Sequence, residues 1–143
     1  MSATRSSYEG SCHCGAIGYV FTTSIPPSEW VIRAYQCSFC RAHGGRSTSD
    51  PNGSVRFVLS EPSLLSRYRF ALKITDFIVC KACGVYVGAV MPSPQSAVAV
   101  INLNTLVAPP DLPQAQPVSY KGESASERRA RRKQSWTPVE DAG

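Results

Sequence analysis

The six cysteines of this chain fall into three tight couples: Cys12-His13-Cys14, Cys37-Ser38-Phe39-Cys40 and Cys80-Lys81-Ala82-Cys83. None lies outside a couple. Two thiolates one or two residues apart can bite one tetrahedral metal, whereas a disulfide between them demands a longer loop or strained geometry. Two couples far apart in sequence can then complete a four-thiolate site. Cys12 and Cys14 precede a strand-like run, and Cys80 and Cys83 sit between two such runs, roughly 65 residues later. A zinc ion held by Cys12, Cys14, Cys80 and Cys83 closes the chain between them. Such a site is structural, because protein occupies every position of the metal. Metal-free core thiols and disulfides are the competing readings.

Cys37 and Cys40 are left over, and two thiolates do not complete a zinc site. Tyr35, His43 and Asp50 are the nearby donors. His43 lies three residues beyond Cys40, so two thiolates, one imidazole and a water would make an open zinc suited to catalysis. Alternatively, Cys37 and Cys40 are reduced and metal-free. His13, between two ligands on an extended segment, points away from its neighbours and reads as a surface residue. Arg33, Arg41 and Arg46 flank the second couple. They are either solvated charge or an anion-binding group that lowers a thiol pKa.

The elements that must position these residues are short. Ala16 to Thr22 reads as a strand and Trp30 to Tyr35 as a second, delivering the Cys37 couple. Arg41 to Ser49 reads as irregular, and Asp50-Pro51-Asn52-Gly53 as a turn. Ser54 to Leu59 starts with strand-like alternation. Ser66 to Phe70 reads as a further strand, and Asp76-Val79 and Val85-Met91 flank the third couple as a hairpin. Ala97 to Asn102 closes the series. Val107 to Pro117 is proline-rich and extended. Ser124 to Glu127 has the form of a capping box, opening a basic helix over Glu127 to Gln134, with little apolar surface beyond Trp136 for docking.

A chain of 143 residues, 43% hydrophobic and 17% charged, describes a folded domain with a real core rather than a disordered one. The expected division is a zinc-binding β domain over residues 1–120 and a basic helical tail over 121–143. Met1 to Gly10 has no apolar run and no stretch is long enough to span a membrane, which points to a reducing cytoplasm where cysteine couples favour metal. The net charge of +5 owes much to Arg128-Arg129-Ala130-Arg131-Arg132-Lys133. That run reads as a solvated face or as a contact for an acidic partner such as nucleic acid.

Gly10-Ser11-Cys12-His13-Cys14-Gly15-Ala16, Cys37-Ser38-Phe39-Cys40-Arg41 and Cys80-Lys81-Ala82-Cys83-Gly84-Val85 together resemble the glutathione-dependent formaldehyde-activating enzyme family, which includes centromere protein V. The resemblance runs from about Tyr8 to about Leu106. It implies a mostly-β fold of small stacked antiparallel sheets around a structural zinc on Cys12, Cys14, Cys80 and Cys83, ahead of the short C-terminal basic helix. The family holds a second, catalytic zinc in a Cys-x-Cys-x-x-Cys motif. Here Cys37 and Cys40 match its last two positions, and Tyr35 stands at the first. A phenol stays protonated near neutral pH, so this exchange weakens zinc binding.

The family reaction joins formaldehyde to the glutathione thiol, giving S-hydroxymethylglutathione, and in reverse is a carbon–sulfur lyase. The resemblance thus implies an enzyme acting on glutathione or related thiol–aldehyde adducts. Cys37, Cys40, Tyr35 and His43 would sit at its centre, and Arg41 and Arg46 would bind substrate. The alternative is a zinc-stapled binding module with a degenerate site, reaching an acidic partner through its basic tail.

Overall fold

A strand whose residues are apolar without alternation must be covered on both faces, and two segments of this chain meet that condition. Every residue of Tyr86–Met91 and of Val98–Asn102 is buried. In the computed structural model, which describes residues 4–94 and 96–140, these two strands pair antiparallel at the centre of the larger of two sheets. The elements run in chain order as β1 (Ser6–Ser11), β2 (Ile17–Thr23), β3 (Arg33–Tyr35), α1 (Ser38–His43), β4 (Ser47–Thr48), β5 (Ser54–Leu59) and β6 (Leu65–Tyr68). There follow β7 (Asp76–Cys80), β8 (Tyr86–Met91), β9 (Val98–Asn102), β10 (Gln116–Val118), α2 (Ala125–Ser135) and β11 (Thr137–Pro138).

The small sheet has the order β1-β2-β5, all antiparallel. The large sheet has the order β10-β3-β4-β9-β8-β7-β6, with β11 added against β9. All its pairings are antiparallel except β10 with β3. The mostly-β fold of small antiparallel sheets is therefore as expected.

The alternation of β9 divides the interior in two. Ala99 and Ile101 join Ile17, Tyr19, Phe21 and Val55 of the small sheet in one core. Val98 and Val100 face the opposite way, with Cys40, Phe77, Tyr86 and Trp136 in a second core. The first core holds the sheets together, and the second becomes the floor of the site described below.

Four local outcomes differ from the sequence reading. Arg41 to Ser49, read as irregular, contains the second half of α1: the Cys37 side chain caps that helix by accepting the Cys40 N–H at 3.4 Å, and Gly44 closes it. The strand read over Trp30–Tyr35 contracts to Arg33–Tyr35, because Trp30 is used as a core plug, edge-on to the rings of Tyr8 and Phe21. β1 forms from a largely polar run by pairing along its whole length with β2.

The fourth difference is α2, which begins at the expected capping box but runs to Ser135 and is docked. Trp136 is 2% exposed, Ser49 donates to the Ser135 carbonyl at 2.6 Å, and Thr137 Oγ1 accepts from the Asp50 amide at 2.8 Å. The tail is thus sewn onto the body through one aromatic residue and one short strand. Residues 1–3 and 141–143, at the outer limits of the expected domain and tail, lie outside the described residues. No described helix is long and apolar enough to cross a membrane.

Because Trp136 alone anchors α2 in the second core, Trp136→Ala should destabilise the protein by about 3–5 kcal/mol. Lys133→Ala, on the exposed side of the same helix, should stay within about 0.5 kcal/mol of the parent. Urea unfolding of both variants measures the contrast.

Candidate functional site

Two hairpin tips meet at the first cluster of thiols. The β1–β2 tip carries Cys12 and Cys14, and the β7–β8 tip carries Cys80 and Cys83. The tips are built alike. In the first, Cys12 donates to the Ile17 carbonyl and accepts from the Gly15 amide; in the second, Cys80 donates to Val85 and accepts from Gly84. Gly15 and Gly84, each directly after the second cysteine of its couple, have φ of 88° and 76°. A side chain is strained there, so glycine lets the chain turn back beneath the sulfurs.

The four sulfur atoms lie within 4.8 Å of one another. Cys12 to Cys14 is 3.7 Å and Cys14 to Cys80 is 3.6 Å. Tetrahedral zinc with bonds of about 2.3 Å separates its sulfurs by about 3.8 Å, so the group matches a metal site in size. Amide N–H groups support the sulfurs, with Ile17 donating to Cys12 at 3.3 Å and Val85 to Cys83. This donor set could hold a metal ion and fits zinc. Cys12 and Cys80 are buried, so it offers no open cavity for chemistry.

Among the described residues, no other three His, Cys, Asp or Glu donors converge in this way. Cys37, Cys40 and His43 do not form such a group. His43 does not join Cys37 and Cys40; its ring lies 4.5 Å from that of Phe39 and 5.6 Å from that of Tyr86, on an exposed helix end. Asp50 accepts from Thr23 at 2.6 Å and from the Asn52 amide at 2.9 Å, binding a turn together instead. Burial raises the Tyr35 pKa, which keeps its phenol neutral and a poor metal ligand. The residues present do not fit a closed second zinc.

Cys37 and Cys40 form an asymmetric pair. Cys37 is exposed and Cys40 buried. The Cys40 thiol, followed by the amides of Cys40 and Phe39 and the charge of Arg132, pulls the Cys37 pKa down to about 6 against the opposing effect of burial. Cys40 is pushed far up by its hydrogen bond to Cys37 and by burial. One sulfur is thus a thiolate at neutral pH, and the other is its proton-bearing partner.

Both line a cavity of about 290 Å³, floored by Phe77, Tyr86 and Val100 of the second core. Tyr35 belongs to the same wall. Arg41 and Arg46, expected to bind substrate, do not line it: Arg41 is exposed, and Arg46 donates to Asn104 at 2.7 Å. The cations that do are Lys121, Arg128, Arg131 and Arg132. The basic run is therefore not a solvated stripe, since three of its four arginines turn inward. The signal in the sequence was their spacing: positions 128, 131 and 132 share one helix face, with Trp136 one turn further on.

Comparison with known proteins agrees with this architecture. A model of the family described as glutathione-dependent formaldehyde-activating enzyme matches residues 7–120. A crystal structure of a Rhodobacter sphaeroides protein is similar, with a TM-score of 0.56 and 26% identity, covering 77% of this chain and 99% of that one. No curated protein matches the chain.

The two thiol groups should separate in a melting experiment. Removing metal with a chelator, or replacing Cys80 by Ala, should lower the melting temperature by about 10 °C or more, because a metal bound only by the folded state adds its binding energy to stability. Cys37→Ala, at an exposed position, should shift it by only a few degrees.

Proposed function

Because the chain belongs to the glutathione-dependent formaldehyde-activating enzyme family, we propose that it is a carbon–sulfur lyase-like enzyme acting on glutathione or related thiol–aldehyde adducts, with Cys37 and Tyr35 as its reacting groups. One observation carries this reading. Cys37, whose pKa its Cys40 partner lowers to about 6, sits at the edge of a cavity of about 290 Å³, inside the region that the family model matches.

Zinc on Cys12, Cys14, Cys80 and Cys83 supplies structure in this reading, joining the two hairpin tips. The chemistry is left to side chains. In the condensing direction the Cys37 thiolate takes the proton of the incoming thiol as its sulfur bonds to the aldehyde carbon. The carbonyl oxygen takes the Tyr35 hydroxyl proton, and the proton on Cys37 then restores the phenol. Cleavage runs the same transfers backwards. Tyr35 suits the role because burial holds it in the neutral, proton-donating form. Phe70, Phe77 and Val100 keep water from the reacting carbon. Four cysteines converging as a metal group suit a reducing compartment such as the cytoplasm.

Turnover of formaldehyde with glutathione should fall by about 100-fold or more in Cys37→Ser, and by roughly 10- to 100-fold in Tyr35→Phe. Equal rates in the parent and Cys37→Ser would sink the proposal. Alkylation of Cys37 by iodoacetamide gives a pH test. Only the thiolate reacts, so the rate should be full at neutral pH and fall as pH drops through about 6. A midpoint near that of a free thiol would remove the premise.

A further inference from the structure

Helix α2 lies beyond the residues matched by the family model, yet it supplies one wall of the cavity. Its inward face carries more positive charge than the protein neutralises. Arg128 and Arg131 share one carboxylate, Glu123, at 3.1 and 2.8 Å. Arg132 has no carboxylate partner among the described residues; Nη1 donates to Thr75 Oγ1, and the guanidinium lies 4.5 Å from the Trp136 ring centre. Three guanidinium groups therefore meet one carboxylate.

Some of the hydrogen-bonding capacity is also unspent. Arg132 Nε and Arg131 Nη1 are buried without partners. Trp136 Nε1 and the Tyr35 hydroxyl approach each other without reaching hydrogen-bond geometry, and each is buried and unpaired. All four residues line the cavity. Guanidinium and indole N–H groups only donate, so the complement must accept, and it must be negative to offset the charge. An unpartnered buried polar group is costly, and a buried unpaired charge more so, which makes this arrangement costly unless it is used.

We infer that Arg131 and Arg132, with Trp136, form a carboxylate-binding site that anchors the acid end of a small ligand whose other end reaches Cys37. The planar guanidinium fork suits a carboxylate, and the cavity has room for a small molecule rather than a polymer. Burial, followed by the neighbouring charges of Arg131 and Arg128, lowers the Arg132 pKa to about 10, the response of a cation awaiting a counter-charge. The ligand class rests on the thiol–aldehyde reading, but the anchor is tested by binding alone.

The test titrates the metal-loaded full chain with S-methylglutathione, which cannot react, and with its diester, which lacks both carboxylate charges. Isothermal calorimetry reads the affinity. The acid should bind roughly 10- to 100-fold more tightly than the diester, and Arg132→Gln should remove that advantage. Arg132→Lys, which keeps charge and stem but not the fork, should recover only part of it. Arg129→Gln, on the exposed face, should bind like the parent, and circular dichroism checks that each variant is folded. Equal affinity for acid and diester, parental binding by Arg132→Gln, or no binding of either ligand by the parent would each overturn the inference. Acid-selective binding combined with undiminished turnover in Cys37→Ser would leave the anchor standing and remove the proposed chemistry.

Discussion

The meeting of two hairpin tips at four sulfur atoms is the constraint from which the rest of this structure follows. Cys12 and Cys14 belong to the small sheet and Cys80 and Cys83 to the large one, so their convergence fixes where one sheet sits on the other. The strands leaving the tips, β2 and β8, carry Tyr19, Phe21 and Val87 into the shared core. Four thiolates so close together repel one another unless a cation lies between them. A metal removes that conflict and converts it into a crosslink between segments 66 residues apart.

Much of this was readable from local pattern. The Cys12–Cys14 and Cys80–Cys83 couples, each followed by glycine, encode a tight turn with its sulfurs on one side. That information is complete within a few residues. β8 and β9 announced themselves because a strand covered on both faces reads as a nearly continuous apolar run. What escaped was set by distant partners. β1 is polar and becomes a strand because β2 offers its edge. α1 is a short helix whose cap is the Cys37 sulfur, a residue that reads as a ligand until its surroundings are known. β11 is a two-residue strand against β9, visible only once the chain has returned.

The two cysteine systems show how the same residue type diverges with environment. At the hairpin tips four sulfurs face one another. At α1 only two do, and Tyr35 stands two residues before Cys37. The buried phenol of Tyr35 stays neutral and adds no negative charge there. The remaining pair then settles its own ionisation, with Cys40 keeping the proton and Cys37 surrendering it. The pair thus sets one sulfur of lowered pKa beside a neutral phenol, unlike the four matched sulfurs at the hairpin tips.

A lone thiolate in a lined cavity also explains why the tail is built as it is. Arg132 contributes to the depressed Cys37 pKa and lines the same space, so helix α2 acts on the thiol as well as walling it in. A helix that served only to cover the second core could have used apolar residues on its inward face and avoided burying guanidinium groups. Instead Arg131 stacks 3.4 Å from the Tyr120 ring centre and Arg132 over Trp136, arrangements that hold charged groups in a largely apolar wall without neutralising them. The aromatic residues provide shape while the charge stays available. That separation of support from charge balance leaves the cavity electropositive, and it makes the C-terminal helix part of the site rather than an appendage to the domain.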